Sequence, residues 1–237
     1  TYTLRGNSVS LAHDVAAQDN SLTIRANTLS LGGMLSGTSA TAQASISTLS
    51  NDRGISLATT AANTLELSQT LLTQFSAFSQ LTIGRADSNS AITALALTLG
   101  NDLTLTSGTA AINLASVTGA GFDLSLNSTG TTLLGGAVTG VGALTTNSGG
   151  TTTISADITT TGTQQYNDNV TIGGTGTRTL SAGTLSLNGN LNVDGHDIVL
   201  LADTLSVSNN VTGATGQSAT LATRTADRSI GLAGGAG

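Results

Sequence analysis

The chain has no cysteine, no proline, no tryptophan and no lysine. Without cysteine there is no disulfide framework and no thiol chemistry. Without proline, and without glycine at every third position, a collagen-type triple helix is excluded. Aromatic residues make up 2% of the chain, too few for a core built on large rings or a groove that stacks sugars. Only 8% is charged; the seven basic residues are all arginine, and Glu66 is the one acid that is not aspartate. A net charge of −6 with no lysine leaves no basic patch to displace counterions from phosphates. No nucleic-acid partner is expected, and anionic lipid is disfavoured for the same reason. No run of about 18 apolar residues occurs, so no transmembrane helix and no membrane insertion are expected.

What is present is glycine, 30 residues of it, with threonine, serine, alanine, asparagine and leucine filling most of the rest. Such chains border on disorder. Here leucine, isoleucine, valine and phenylalanine stand above the ~20% level below which disorder is the default, and they are ordered in sequence. A triplet of apolar, small polar, apolar recurs from end to end, as VSL (9–11), LTI (22–24), LSL (29–31), ISL (55–57), LTL (103–105), LSL (124–126), VTI (170–172) and LSV (205–207). Alternation of period two is the strand signature. The Gly, Asn, Asp or Ser that follows each triplet tolerates turn geometry.

Longer repeats overlie these. GNDLTLTSGT (100–109), GFDLSLNSTG (121–130) and GHDIVLLADT (195–204) share Gly-x-Asp-apolar-x-Leu. ANTLSLGG (26–33), AGTLSLNG (182–189) and ADTLSVSN (202–209) share a second form. A superperiod of roughly 20 residues means a solenoid, in which each repeat buries its apolar face only against its neighbours. The expected fold is an all-β, single-stranded parallel β-helix of about a dozen coils, a rod about 55 Å long at the ~4.8 Å strand spacing. Thr, Ser and Asn should face outward, with hydrogen-bonded ladders of Asn and Thr from coil to coil. The whole of 1–237 reads as one continuous segment of a longer protein. Within it, 63–83 is a candidate insertion, irregular or briefly helical, because Leu71, Leu72, Phe75 and Phe78 recur at helical spacing.

The stretches TTTISADITTTGTQQYNDNVTIGG (151–174) and TLSLNGNLNVDGHDIVLLADTLSV (184–207) resemble the repeats of filamentous-haemagglutinin-like and autotransporter-adhesin-type bacterial exoproteins. Gly162, Gln164 or Gln165, Tyr166, Val170 and Ile172 carry the resemblance, which is clearest over 145–210. It implies a right-handed β-helix, secretion to the bacterial cell surface, and a role as fibre, stalk or matrix component in adhesion or biofilm. It implies no catalytic residue.

Candidate chemistry is sparse. Asp194, His196, Asp197 and Asp203 form the closest acid and imidazole group, as a metal or acid/base site would require. Yet Asn101 and Phe122 take the place of His196 in the sister repeats, and Asp102 and Asp123 that of Asp197. The group therefore reads as a corner: Gly195 supplies a positive φ and the aspartate accepts backbone N–H groups. His13 before Asp14 reads the same way. GGTGTR (173–178) places Arg178 where a calcium-binding roll needs aspartate. The remaining acids are dispersed, as a sugar-cleaving groove is not. TTTISADITTTGT (151–163) and TGTRTLSAGT (175–184) raise an ice-binding threonine array, but Thr-x-Thr keeps no single register. The expectation is a non-enzymatic structural or adhesive rod, with no cofactor, no metal and no catalytic residue. Its partners are itself, neighbouring repeats of the same polypeptide, or an unidentified host-cell or matrix receptor. An ice-binding solenoid and a glycan-cleaving β-helix are the alternatives.

Overall fold

The computed structural model describes residues 1–38, 41–193 and 195–230. Asp194 of the expected acid group lies outside the described residues. The chain is all-β with almost no helix, a parallel β-solenoid of about 11 turns. Stacked residues are typically 20 to 22 apart: Leu22 on Tyr2, Leu124 on Leu103, Leu144 on Leu124, and Leu205 on Leu185.

Each regular coil contributes strand segments to three faces. Face A starts with the first halves of Tyr2–Leu11 and Leu22–Leu31, whose second halves round onto face B, and climbs through Gln43–Ser47, Gln80–Arg85, Asp102–Ser107, Leu124–Ser128, Leu144–Thr146 and Thr163–Tyr166. Face B carries Gly54–Leu57, Thr131–Leu134, Thr151–Ile154 and Asn169–Ile172. Face C carries Val15–Gln18, Leu35–Gly37, Val138–Val141 and Ile158–Thr160. Long strands round a corner: Ile92–Thr98 and Ile112–Thr118 span faces B and C, and Arg178–Leu187 and Ile198–Val207 span faces C and A.

Alternation sorts the side chains. Inward on face A, Ile24, Ile46, Ile83, Leu105 and Leu126 stack in register and are fully buried. Each such side chain contributes roughly 1.5–3 kcal/mol relative to exposure. One residue along, outward, Thr3, Thr23, Ser45, Thr82, Thr104, Ser125, Thr145, Gln165, Ser186 and Ser206 form a single file along the rod. Asparagine ladders run beside it at the corner. Asn188 donates to Asn167 at 2.7 Å, and Asn27 donates to Asn7 at 3.0 Å.

The coil is interrupted once. After Gly54–Leu57 the chain turns through Ala58 and Asn63, whose φ angles are 52° and 59°. Thr64–Leu67 then pairs with the strand it has just left, Leu65 on Ile55. A five-residue helix, Gln69–Thr73, follows, its first turn capped by the Ser68 hydroxyl, which accepts from Leu71 N at 3.2 Å. The helix stands where a face C strand would. The Gln69 side-chain amide supplies what that strand would have supplied: Nε2 donates to Thr98 O at 2.8 Å and Oε1 accepts from Thr98 N at 3.0 Å. Below, Leu35 N donates to Gln74 O at 2.9 Å. Phe75 and Phe78 fill the interior behind the helix, their ring centroids 6.4 Å apart. The Asn101 amide, itself buried, donates to the carbonyls of both.

Candidate functional site

The residues flanking His196 lie at the corner between faces B and C. Gly195 has φ 84°, as its turn requires. His196 Nε2 is 2.9 Å from Gly174 O, on the coil below. Asp197 Oδ1 accepts the backbone N–H of Ser218 at 2.7 Å and its hydroxyl at 2.9 Å. These bonds, the backbone one first, hold the Asp197 carboxyl below its usual range. Asp203 stands at the next corner, between faces C and A, and accepts the hydroxyl and the backbone N–H of Thr225. These, the hydroxyl first, likewise lower its pKa. The pair is thus divided between two corners, each member engaged with the coil above. Among the described residues, no group of three or more His, Cys, Asp or Glu is placed to hold a metal ion. A shallow hollow of about 210 Å³ opens here, lined by His196, Asp197, Thr177, Gln217 and three glycines.

The aspartate before a strand has one repeated task. Asp14 accepts from Met34 N at 2.7 Å, Asp102 from Asp123 N at 3.0 Å, Asp123 from Ala143 N at 2.7 Å, and Asp157 from Thr179 N at 2.9 Å. At a corner the strand ladder breaks, and a backbone N–H of the next coil loses its carbonyl partner; the carboxylate accepts it instead. The backbone N–H that the aspartate accepts belongs to the next coil, so the bond ties one coil to the next. The structure also separates the sister repeats. Asp102 and Asp123 lead into face A, but Asp197 leads into face C. Gly121 shares the positive φ of Gly195, and Gly100 does not.

The other expected motifs resolve similarly. The Arg178 guanidinium donates to the carbonyls of Gly173, Thr175 and Thr177, so a cation already fills that loop. Thr151-x-Thr153 has Thr131-x-Leu133 below it and Asn169-x-Thr171 above, so two files of threonine do not persist there. On face C, Thr98, Thr118, Thr139 and Thr159 stand in single file.

A buried polar group escaped the sequence reading. Thr146 replaces the leucine of the column below it, Leu126, and Thr152 stands on Thr132 where Ile112 stands lower down. Both threonine hydroxyls donate to Asp168, at 2.9 Å from Thr146 and 2.8 Å from Thr152. Asp168 is 4% exposed, and burial pushes its carboxyl above the usual range against the pull of these bonds. Beside it Tyr166, wholly enclosed, donates to Gln164 Oε1 at 3.0 Å. Gln164 Nε2 donates to Ile158 O and Ser181 O. Burial, with the Asp168 charge second, raises the Tyr166 phenol far above its ordinary pKa. The group is closed and its hydrogen bonds are internally satisfied. It fixes the packing of the interior. The sequence signal was the run of threonine and glutamine at interior columns.

No protein-family model matches the chain, and neither a curated protein nor a solved structure matches it.

Proposed function

We propose that this chain is a structural and adhesive rod of a large secreted bacterial surface protein, serving as fibre, stalk or matrix component. The observation that carries the reading is the continuity of the stack. One outward polar file, hydroxyls at every place but Gln165, runs from Thr3 to Ser206, and aspartate bonds tie coil to coil at the corners. Such a rod resists bending and local opening, because each coil is held by its neighbours through backbone ladders and side-chain bonds. Its outward threonine, serine and asparagine offer many weak, repeated contacts instead of a pocket. The resemblance of 151–174 and 184–207 to exoprotein repeats supports the cell-surface setting. Leu205, Val207, Val211 and Leu221 continue the interior columns and are exposed in the last described coils.

The test is display on a non-adherent bacterium, with attachment measured to host cells, to matrix and to bacteria carrying the same rod. A several-fold rise in attachment or in autoaggregation is expected. Attachment equal to that of undecorated cells, with surface exposure verified by protease shaving, would overturn the adhesive reading.

A further inference from the structure

Four of the seven arginines, Arg5, Arg25, Arg53 and Arg85, fall at one corner of the rod, the turn from face A to face B, in its lower coils. Arg5 and Arg25 are in register on adjacent strands. Arg85 ends the strand whose Ile83 stacks over Ile46 and, through it, Ile24. Arg53 immediately precedes Gly54–Leu57 on face B. The acids here are Asp52, Asp87 and Glu66, which lines one hollow with Arg53, so four arginines face three acids and positive charge is in surplus by one. Higher up, the same corner holds serine, threonine, glycine and asparagine, with the buried Asp168. In a chain of net charge −6 this row is a local reversal of sign.

The row is built at a cost. Like charges directly opposite on neighbouring strands, about 4.8 Å apart, are unfavourable. Arg25 Nε, Arg53 Nε and Arg85 Nη1 are buried without a hydrogen-bond partner. Unpaired buried donors of this kind destabilise. The corner backbone is nonetheless stiff: the Asn27 amide donates to Asn7 and to Ser50 Oγ, and its oxygen accepts from Leu49 N and Ser50 N. Arg53 Nη2 donates to Thr64 O at 2.9 Å. Arg85 grips both oxygens of the Asp87 carboxylate through Nε and Nη2.

We propose that this corner binds a linear polysaccharide carrying one carboxylate per sugar ring, a polyuronate laid along the rod. Its carboxylates would meet the outer guanidinium nitrogens of Arg5 and Arg25, through the charge-assisted contact that guanidinium and carboxylate form, with Arg53, whose Nη2 is held by Thr64 O, adding its charge alongside. Arg5 and Arg25 are one coil apart, a spacing comparable to one ring of such a chain. Duplex DNA fits worse: it carries a charge every ~1.7 Å and would spread over the flanking faces. A bilayer is flat, and the row follows a convex edge. With 2% aromatic residues there is little to stack single-stranded bases. The inference stands on the arginine positions and goes beyond the adhesive role.

The test is calorimetric titration of the full chain, at low salt, with a uronic-acid oligosaccharide and with its methyl ester, which has the same shape and no charge. The acid form should bind and the ester should not. The Arg5→Gln/Arg25→Gln double variant, folded by circular dichroism, should bind about tenfold more weakly per arginine removed, the size of one charge-assisted contact. The Arg178→Gln variant should bind like the parent. Equal binding of acid and ester, equal binding by the double variant, or no binding at low salt would overturn the proposal. So would duplex DNA or anionic phosphatidylserine vesicles binding as tightly through the same arginines. Should the double variant fail to fold, the comparison of acid with ester still decides.

Discussion

The Asp168 carboxylate lies inside the coil stack with both its oxygens within 3.0 Å of the Thr152 hydroxyl. Burial raises its pKa above the unfolded value near ~3.9. The folded state therefore holds its proton more tightly than the unfolded chain. Below the unfolded pKa this group does not oppose folding; as pH rises from there through the folded pKa, the cost of burying its charge appears. Asp168→Asn keeps the shape and removes the titration. The melting temperature of the parent minus that of the variant should fall as pH is raised from about 4 to neutral. A difference that stays constant with pH would contradict the burial of this charge.

Asp197 has the opposite sign. Its folded pKa is lowered by the Ser218 backbone N–H and hydroxyl. Its contribution is present above the unfolded carboxylate value and is lost as pH falls through the lowered one. The Asp197→Ala variant should expose the Ser218 amide, seen as faster hydrogen exchange at that residue with the strand amides below unchanged. Unaltered exchange at Ser218 would remove the corner clamp from the description of the coil. Lowering pH through the lowered pKa should reduce the protection factor of the Ser218 amide, the rate corrected for intrinsic exchange, in the parent and leave that of the variant unaffected.

Gln69 is the side chain that replaces a strand. In Gln69→Ala, Thr98 loses both backbone partners, and lost hydrogen bonds of this kind cost roughly 0.5–1.5 kcal/mol each. A destabilisation of about 1–3 kcal/mol is expected in denaturant melts. Gln69→Glu restores only the acceptor and should fall between. A loss no larger than that of an exposed-site alanine control would show that the helix is held by Phe75 and Phe78 alone.

The fold class was legible because period-two alternation is a direct consequence of strand geometry, and VSL, LSL and VTI mark it without ambiguity. The three faces were not. Gly-x-Asp leads into face A at Asp102 and Asp123 and into face C at Asp197, since any corner that breaks the ladder benefits from an acceptor. The apolar spacing of Leu71, Leu72, Phe75 and Phe78 marked 63–83 as irregular or briefly helical, without separating the two. That Thr64–Leu67 doubles back on Gly54–Leu57 depends on pairing, which short identical triplets cannot specify. Asp168 sits between asparagines in NDN and reads as a turn residue; its burial follows from Thr146 and Thr152 turning inward. Arg5, Arg25, Arg53 and Arg85 are 20 to 32 residues apart in sequence, so no basic patch was visible. The coil period brings them to one edge.

The parallel stack in this register is tested most directly by a distance along the hydroxyl file. The chain has no native cysteine, so spin labels can be placed at Thr23→Cys and Ser186→Cys without background. The pairings put these two positions on the same file, with Ser45, Thr82, Thr104, Ser125, Thr145 and Gln165 between them. At about 4.8 Å per strand the labels should give one narrow distance near ~34 Å by pulsed electron spin resonance. A broad distribution, or a peak displaced by more than two strand spacings, would contradict the solenoid register on which the rod, the corner clamps and the arginine row all depend.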